Sequence, residues 1–388
     1  MPTASENGQQ IPQKACTAEL QKVLLAGILN YFSRFVSKMM NSYFSRTAIV
    51  RPVRGAVSCL LLLLLISSPL PAAAQEPDET IRTDTALVQL NIGVVDPRGQ
   101  AVTSLSRNDF TVYEDGVKQP ISYFEPTSAP FSLVLLLDMS GSTLNFRPQL
   151  KQAAWRFLDA LAPEDRVAVI QFNAKVKRLS GFSTKRKDTA YAIEVAEGAG
   201  ETHFYEALKL ALTELAKEDG KERRRRKAIV ALTDGLDTHM RNADRALASK
   251  AQTDAEAIAA IDPGKNSALN QVLTEADKQG VTIYPLALPS GDAKRLPLPD
   301  PVITGIYTAA RTRLQSLADR TGGRLNEIQR LDQMARLYVE VAADLRSLYT
   351  LGYQPQNGRT RDGKWHEIRV EVGQPSLIAR TKPGYYAR

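Results

Sequence analysis

The chain is nearly without cysteine, and its two, Cys16 and Cys59, both stand ahead of the small-residue stretch Ala72-Ala73-Ala74. With an export cleavage at that stretch the mature chain carries no thiol, which excludes disulfides, thiolate metal sites and cysteine nucleophiles together. Histidine is scarce as well. His203, His239 and His366 are the three present, and their scattered spacing fits no zinc pattern. The glycines form neither a Walker-type run nor a dinucleotide fingerprint, so nothing supports nucleotide chemistry. Excess positive charge is mostly local to one end: the formal +8 includes seven Lys or Arg against two acids in residues 1–74, and the remaining 43 bases and 40 acids leave about +3. Phosphate tracking needs a concentrated basic surface, so no nucleic-acid partner is expected. The run Arg223–Arg226, between an amphipathic helix and a buried strand, reads as a solvated loop at the lower edge of a sheet.

Also missing is any apolar run of the ~20 residues that a bilayer span needs. Ala56–Ile66 is about half that long; it follows Arg51 and Arg54 and precedes a proline pair and the three alanines, the layout of a secretory signal. Residues 1–74 are therefore expected to be a leader and signal peptide cut near Ala74, with a periplasmic or extracellular mature chain that does not span the membrane. A start at Met39 or Met40 would shorten that leader.

What is present is ordinary globular composition, 43% hydrophobic and 24% charged, over a length that calls for one large core and a smaller unit. Leu87–Val95 alternates apolar and polar residues, and Asp115-Gly116 sits between two β-rich runs, a strong hairpin signal. Residues 81–126 thus read as a small β segment. From Phe131 the pattern changes to short buried runs (Leu133–Leu137, Val167–Phe172, Ile229–Leu232, Ile283–Leu288) separated by helical periodicity over Gln149–Leu161, Phe204–Lys217, Ala268–Gln279, Arg311–Thr321 and Leu331–Leu348. Such alternation predicts an α/β fold, a doubly wound, mainly parallel sheet over residues 131–348. An edge hairpin at Lys175–Leu179, an insertion at Ala243–Ser267 and a proline-rich loop at Pro289–Gly305 depart from the plain pattern. Residues 349–388 return to strands. Too small to fold alone, this segment is expected to pack with 81–126 as one β domain into which the α/β unit is inserted.

Three loops carry the chemistry. Asp138-Met139-Ser140-Gly141-Ser142 follows the first buried strand, Thr202 opens the helix at Phe204, and Thr233-Asp234-Gly235 ends a third strand. In an open α/β sheet all three fall at the carboxyl crest, where ligands bind. Two carboxylates and three hydroxyls are hard oxygen donors suited to Mg²⁺, or to Ca²⁺ or Mn²⁺, and unsuited to a soft ion such as zinc. Asp237 reads either as a further carboxylate behind that set or as a solvated loop acid.

Asp138-x-Ser140-x-Ser142, then Thr202, then Asp234 resembles the metal-ion-dependent adhesion site of the von Willebrand factor type A family. Together with DFTVYEDGVKQPISYFE before the domain and the YTLGYQP and RTKPGYY segments after it, the chain is similar to bacterial exported proteins of that family, of acidobacterial type. The resemblance implies that those five residues hold a divalent ion whose open position accepts an Asp or Glu carboxylate from a protein partner, and it implies no catalysis. Two other readings are kept. One is a structural envelope protein with an unused metal site. The other is a serine hydrolase, for which His203 or His239 would have to serve Ser140 as base, although Ser140 lacks the Gly-x-Ser-x-Gly elbow.

Overall fold

The computed structural model describes residues 87–218, 225–291, 300–355 and 362–387. The expected leader, its cleavage near Ala74, both cysteines, residues 81–86 and Arg223–Arg224 lie outside the described residues. The first strands are β1 (Val88–Val95), β2 (Phe110–Glu114), β3 (Val117–Gln119) and β4 (Ile121–Glu125). The β2–β3 turn takes Asp115 and Gly116 through φ of 49° and 78°, the left-handed pair that a two-residue hairpin requires.

The central sheet comprises β5 (Phe131–Asp138), β6 (Arg166–Phe172), β7 (Val176–Ser183), β8 (Arg226–Thr233), β9 (Val281–Ala287) and β10 (Asn326–Glu327), in the order β10-β9-β8-β5-β6-β7. Only β7 runs antiparallel to its neighbour among these pairs. Among the described residues eight helices follow: α1 (Arg147–Ala160), α2 (Arg186–Glu194), α3 (Phe204–Ala216), α4 (Thr238–Ala248), α5 (Asp254–Ala260), α6 (Ser267–Gln279), α7 (Pro301–Thr321) and α8 (Met334–Ser347). Side-chain alternation explains why β5 is apolar at nearly every position. Leu133, Leu135 and Leu137 face one helix layer, with α1 and α8, whereas Val134 and Leu136 face the other, with α3, α6 and α7. Both layers are buried, each leucine contributing about 1.5–3 kcal/mol. Among the described residues no helix is long and apolar enough to cross a membrane.

The structure corrects the expected loop at Pro289–Gly305. Pro289–Gly291 is a single 3₁₀ turn, residues 292–299 lie outside the described residues, and α7 begins at Pro301, ten residues earlier than the periodicity suggests. Asp300 caps it by accepting from the Ile303 amide at 3.1 Å, and Pro301 sits in the first turn, where its missing N–H has no consequence. The inserted residues explain why this extension is apolar on one side. Helix α5 lies across it, burying Ala257 and Ile261 against Ile306 and Ala309. Gly305 permits the crossing, since a β-carbon there would stand 2.9 Å from backbone and side-chain carbons of Ala257. Gly305→Val should therefore destabilise the domain by about 1–3 kcal/mol through overpacking, read as a lower urea midpoint with unchanged slope; an unchanged midpoint would show that α5 moves aside freely.

After α8 the chain forms β11 (Leu348–Tyr353), β12 (Trp365–Val372), β13 (Ile378–Arg380) and β14 (Gly384–Tyr386). Strands from before Phe131 and after Ser347 share two four-stranded sheets, alternating in β13-β1-β11-β4 and meeting at the β12–β2 pair in β14-β12-β2-β3. Leu90 pairs with Leu351 and Val112 with Val370, and the two sheets share a core that includes Ile92, Tyr349 and Tyr353.

Arg226 is a second correction. It is 2% exposed, and it is the first residue of β8 and no part of a solvated loop. Its guanidinium donates to the carbonyls of Thr127 (2.6 Å) and Ala129 (2.5 Å), to that of Leu345 (3.4 Å) and to that of Leu348, and it lies 4.1 Å over the Phe131 ring. Thr127 and Ala129 lead into the α/β unit, whereas Leu345 and Leu348 lead out of it. One five-donor group thus bridges both crossings.

Candidate functional site

Asp138 is the last residue of β5, beside Thr233 at the end of β8, because those two strands are neighbours in register. The Asp138 carboxylate is fully buried. Its Oδ1 accepts from the Ser140 amide at 3.0 Å and its Oδ2 from the Thr233 hydroxyl at 2.9 Å. The first bond turns the chain so that Ser140 and Ser142 face each other, their hydroxyl oxygens 3.1 Å apart. Asp234 is 2% exposed, and its Oδ1 accepts from the Leu236 amide at 3.0 Å.

Thr202 is held against this group by backbone. Gly200 accepts from the Gly141 amide at 3.1 Å, and Thr202 and Thr238 bond reciprocally, amide to hydroxyl at 3.0 Å and carbonyl to amide at 2.9 Å. Asp237 is no solvated acid but a carboxylate behind the set. Buried at 4% exposure, it caps α4 by accepting from the His239 and Met240 amides, and its other oxygen takes the Tyr205 amide of α3 at 3.3 Å. It therefore ties the second loop to the third. Arg147 does the same for the first two, donating one nitrogen to Met139 (2.8 Å), Ser140 (3.1 Å) and Gly198 (2.6 Å) carbonyls. Thr233, Thr238, Arg147 and the capping role of Asp237 are the supports that sequence reasoning missed. Of these, only an Asp before a helix start leaves a readable signal.

Electrostatically the arrangement is expensive as a bare protein. Burial, then the charge of Asp234, pushes the Asp138 carboxyl up to about 7 against the Ser140 and Thr233 hydrogen bonds that oppose the shift. Asp234 is also raised by burial, with the Leu236 amide, the Ser142 hydroxyl and the charge of Arg311 pulling the other way. Two buried carboxylates in mutual repulsion, with hydroxyls aimed among them, fit a hard divalent cation by donor type and by charge. The His203 ring lies between Glu201 (3.3 Å) and Glu206 (3.4 Å) and 5.2 Å from the His239 ring.

Residues 133–236 match the von Willebrand factor type A domain family. An uncharacterized protein of Synechocystis sp. is 39% identical over 122 residues, 30% of this chain and 28% of that protein, so the match spans under a third of the relative. Among solved structures, a von Willebrand factor type A protein from Catenulispora acidiphila is 13% identical, with 73% of this chain and 65% of that one covered at a TM-score of 0.42. The von Willebrand factor domain of a type V pili tip protein from Porphyromonas gingivalis is 14% identical, covering 55% and 94% at 0.40. Proximal thread matrix protein 1 of the mussel byssus, solved with its metal-ion-dependent adhesion motif occupied by zinc, is 15% identical, covering 57% and 47% at 0.39.

Proposed function

The chain carries a von Willebrand factor type A domain, and we propose that this domain is a metal-dependent binding module rather than an enzyme. Asp138, Ser140, Ser142, Thr202 and Asp234 would hold a divalent cation, Mg²⁺ or else Ca²⁺ or Mn²⁺, and the ion's remaining position would take an Asp or Glu carboxylate of a protein partner. The observation that carries this reading is the pair of buried carboxylates whose proton affinities are raised by burial and, at Asp138, by the neighbouring charge. A dication neutralises that pair, and when bound it supplies a Lewis-acidic position open to an anion. The protein's own residues do the rest. Asp138 and Asp234 supply the charge, Ser140, Ser142 and Thr202 supply neutral oxygens that fix geometry, and Arg147, Asp237 and Thr238 hold the three loops in one constellation. Export follows the secretory layout of Arg51–Gln75, and an extracellular or periplasmic location suits a binding module that meets partner proteins.

Calorimetry of the purified chain with Mg²⁺, Mn²⁺ and Ca²⁺, followed by pull-down from the source envelope with and without chelator, tests this reading. At least one of the ions should bind at millimolar concentration or below, and chelator should release the partner. Thr202→Ala should weaken partner capture while the melting temperature stays put, because a crest hydroxyl contributes little to the core. Failure of all three ions to bind at millimolar concentration would leave the chain as a structural envelope protein with an unused site.

A further inference from the structure

Outside the crest, one cluster of ligating side chains converges in the flanking β unit. Glu114 ends β2, Asp115 begins the hairpin turn, and His366 is the second residue of β12, paired with β2 one strand away. One atom from each, a carboxylate oxygen from the two acids and a ring nitrogen from the histidine, lie within 4.8 Å of one another. His366 Nδ1 stands 2.8 Å from Asp115 Oδ2 and 3.8 Å from Glu114 Oε1. Tetrahedral coordination at about 2.1 Å places donors roughly 3.4 Å apart. The two measured separations bracket that value.

The far atom of each of these groups is already anchored. Glu114 Oε2 accepts from the Tyr353 hydroxyl at 2.6 Å and the Tyr385 hydroxyl at 3.2 Å. Asp115 Oδ1 accepts from the Glu367 amide at 2.9 Å. His366 Nε2 meets Asp362 Oδ1 at 3.2 Å, the carboxylate–imidazole pairing that fixes the ring and raises the basicity of a metal-binding nitrogen. One carboxylate oxygen from each acid and Nδ1 face one another within the cluster. Glu114 and His366 side chains are almost fully buried, whereas Asp115 is 40% exposed and leaves the cluster open to entry from solvent.

We propose that Glu114, Asp115 and His366 form a second metal site, for a borderline divalent ion of the Zn²⁺ type. Two carboxylates and a neutral imidazole balance a dication, and one nitrogen with two oxygens suits Zn²⁺ better than the all-oxygen crest does. In the metal-free chain a proton on Nδ1 bridges to Asp115; the ion takes its place and the proton leaves to solvent. Bound there, the metal cross-links the β2–β3 turn to β12, that is, the segment before the α/β unit to the segment after it.

The test uses the tag-free full chain carrying Asp138→Asn, so that the crest cannot answer for the flank. After equilibration with Zn²⁺ alone and removal of loosely held ion, elemental analysis should return one zinc per chain. Asp115→Asn and Glu114→Gln in that background should abolish it, and Asp362→Asn should weaken it by about tenfold to hundredfold, as loss of an outer partner of a ligating histidine does. Because the chain has three histidines, ¹⁵N NMR resolves them without substitution, so the answer does not depend on any variant folding. The His366 Nδ1 resonance should pass from proton-bearing to metal-bound as zinc reaches one equivalent. No zinc in the folded Asp138→Asn chain, zinc retained by folded Asp115→Asn and Glu114→Gln, or zinc shifting His203 and His239 while His366 stays unchanged would each overturn the site and leave the cluster an internal ion pair.

Discussion

Arg226→Ala should lower the unfolding free energy by at least about 3 kcal/mol, since hydrogen bonds to charged groups are worth roughly 1.5–3 kcal/mol each and several are lost together. The guanidinium is buried and donates to Thr127, Ala129, Leu345 and Leu348 carbonyls at once. No other side chain type offers enough donors in that fork. Arg226→Met, which restores most of the volume but no donor, should be nearly as damaging; Arg226→Lys should recover only part of the loss. Those carbonyls belong to the two crossings between the α/β unit and the flanking sheets, so the deficit falls on both units. Urea unfolding followed by tryptophan fluorescence reads both, because Trp155 lies in α1 and Trp365 in β12. A loss below about 1 kcal/mol in Arg226→Ala would mean that water satisfies those carbonyls and the clamp is incidental.

Arg226 also marks where sequence reasoning ends. Four arginines in a row between a helix and a strand suggest solvent, because charge runs usually do, and nothing local reveals that the fourth meets carbonyls about a hundred residues away in one direction and about 120 in the other. The sheet was legible for the opposite reason. Leu133–Leu137 and its counterparts are buried on both faces, which forces uninterrupted apolar runs that few other structures produce. Helices with one thin apolar stripe were not. Helix α2 buries only Thr189, Ala192 and Ile193, and α4 only Thr238, Asp244 and Ala248, too few to establish a period. Asp244 is there because Arg313 of α7 takes it bidentately at 2.6 and 2.7 Å, a long-range pairing with no local signature. At the site, all five expected side chains fall in three loops at one sheet edge. Their positions were readable because strand ends and helix starts were. Their supports were not: Thr233 reads as one more β-branched strand residue, and Arg147 acts on backbone carbonyls, which no residue type advertises.

Asp138→Asn should have effects of opposite sign with and without cation. In the cation-free chain the Asp138 carboxyl is raised to about 7, by burial first and Asp234 second. An acid raised on folding contributes stability that is present below its unfolded value near 3.8 and is lost as pH rises through the folded value, so at pH 8 its ionisation opposes the fold by on the order of a few kcal/mol. The amide keeps the acceptor for the Ser140 amide and, with Thr233 reversing its hydroxyl, the second bond as well, yet carries no charge. Cation-free Asp138→Asn should therefore melt above the parent chain at pH 8, with the advantage shrinking toward pH 4. With Mg²⁺ the order reverses: the dication binds the ionised pair, so the parent gains stability that the variant cannot. Protons compete for the same oxygens, and the gain conferred by Mg²⁺ on the parent should be largest above pH 7 and fade as pH drops below it. Thermal melts of both chains at about pH 5 to 9, with and without saturating Mg²⁺, give the whole pattern. A Mg²⁺ increment that survives in Asp138→Asn, or one that does not change across that range in the parent, would place the ion somewhere other than between Asp138 and Asp234.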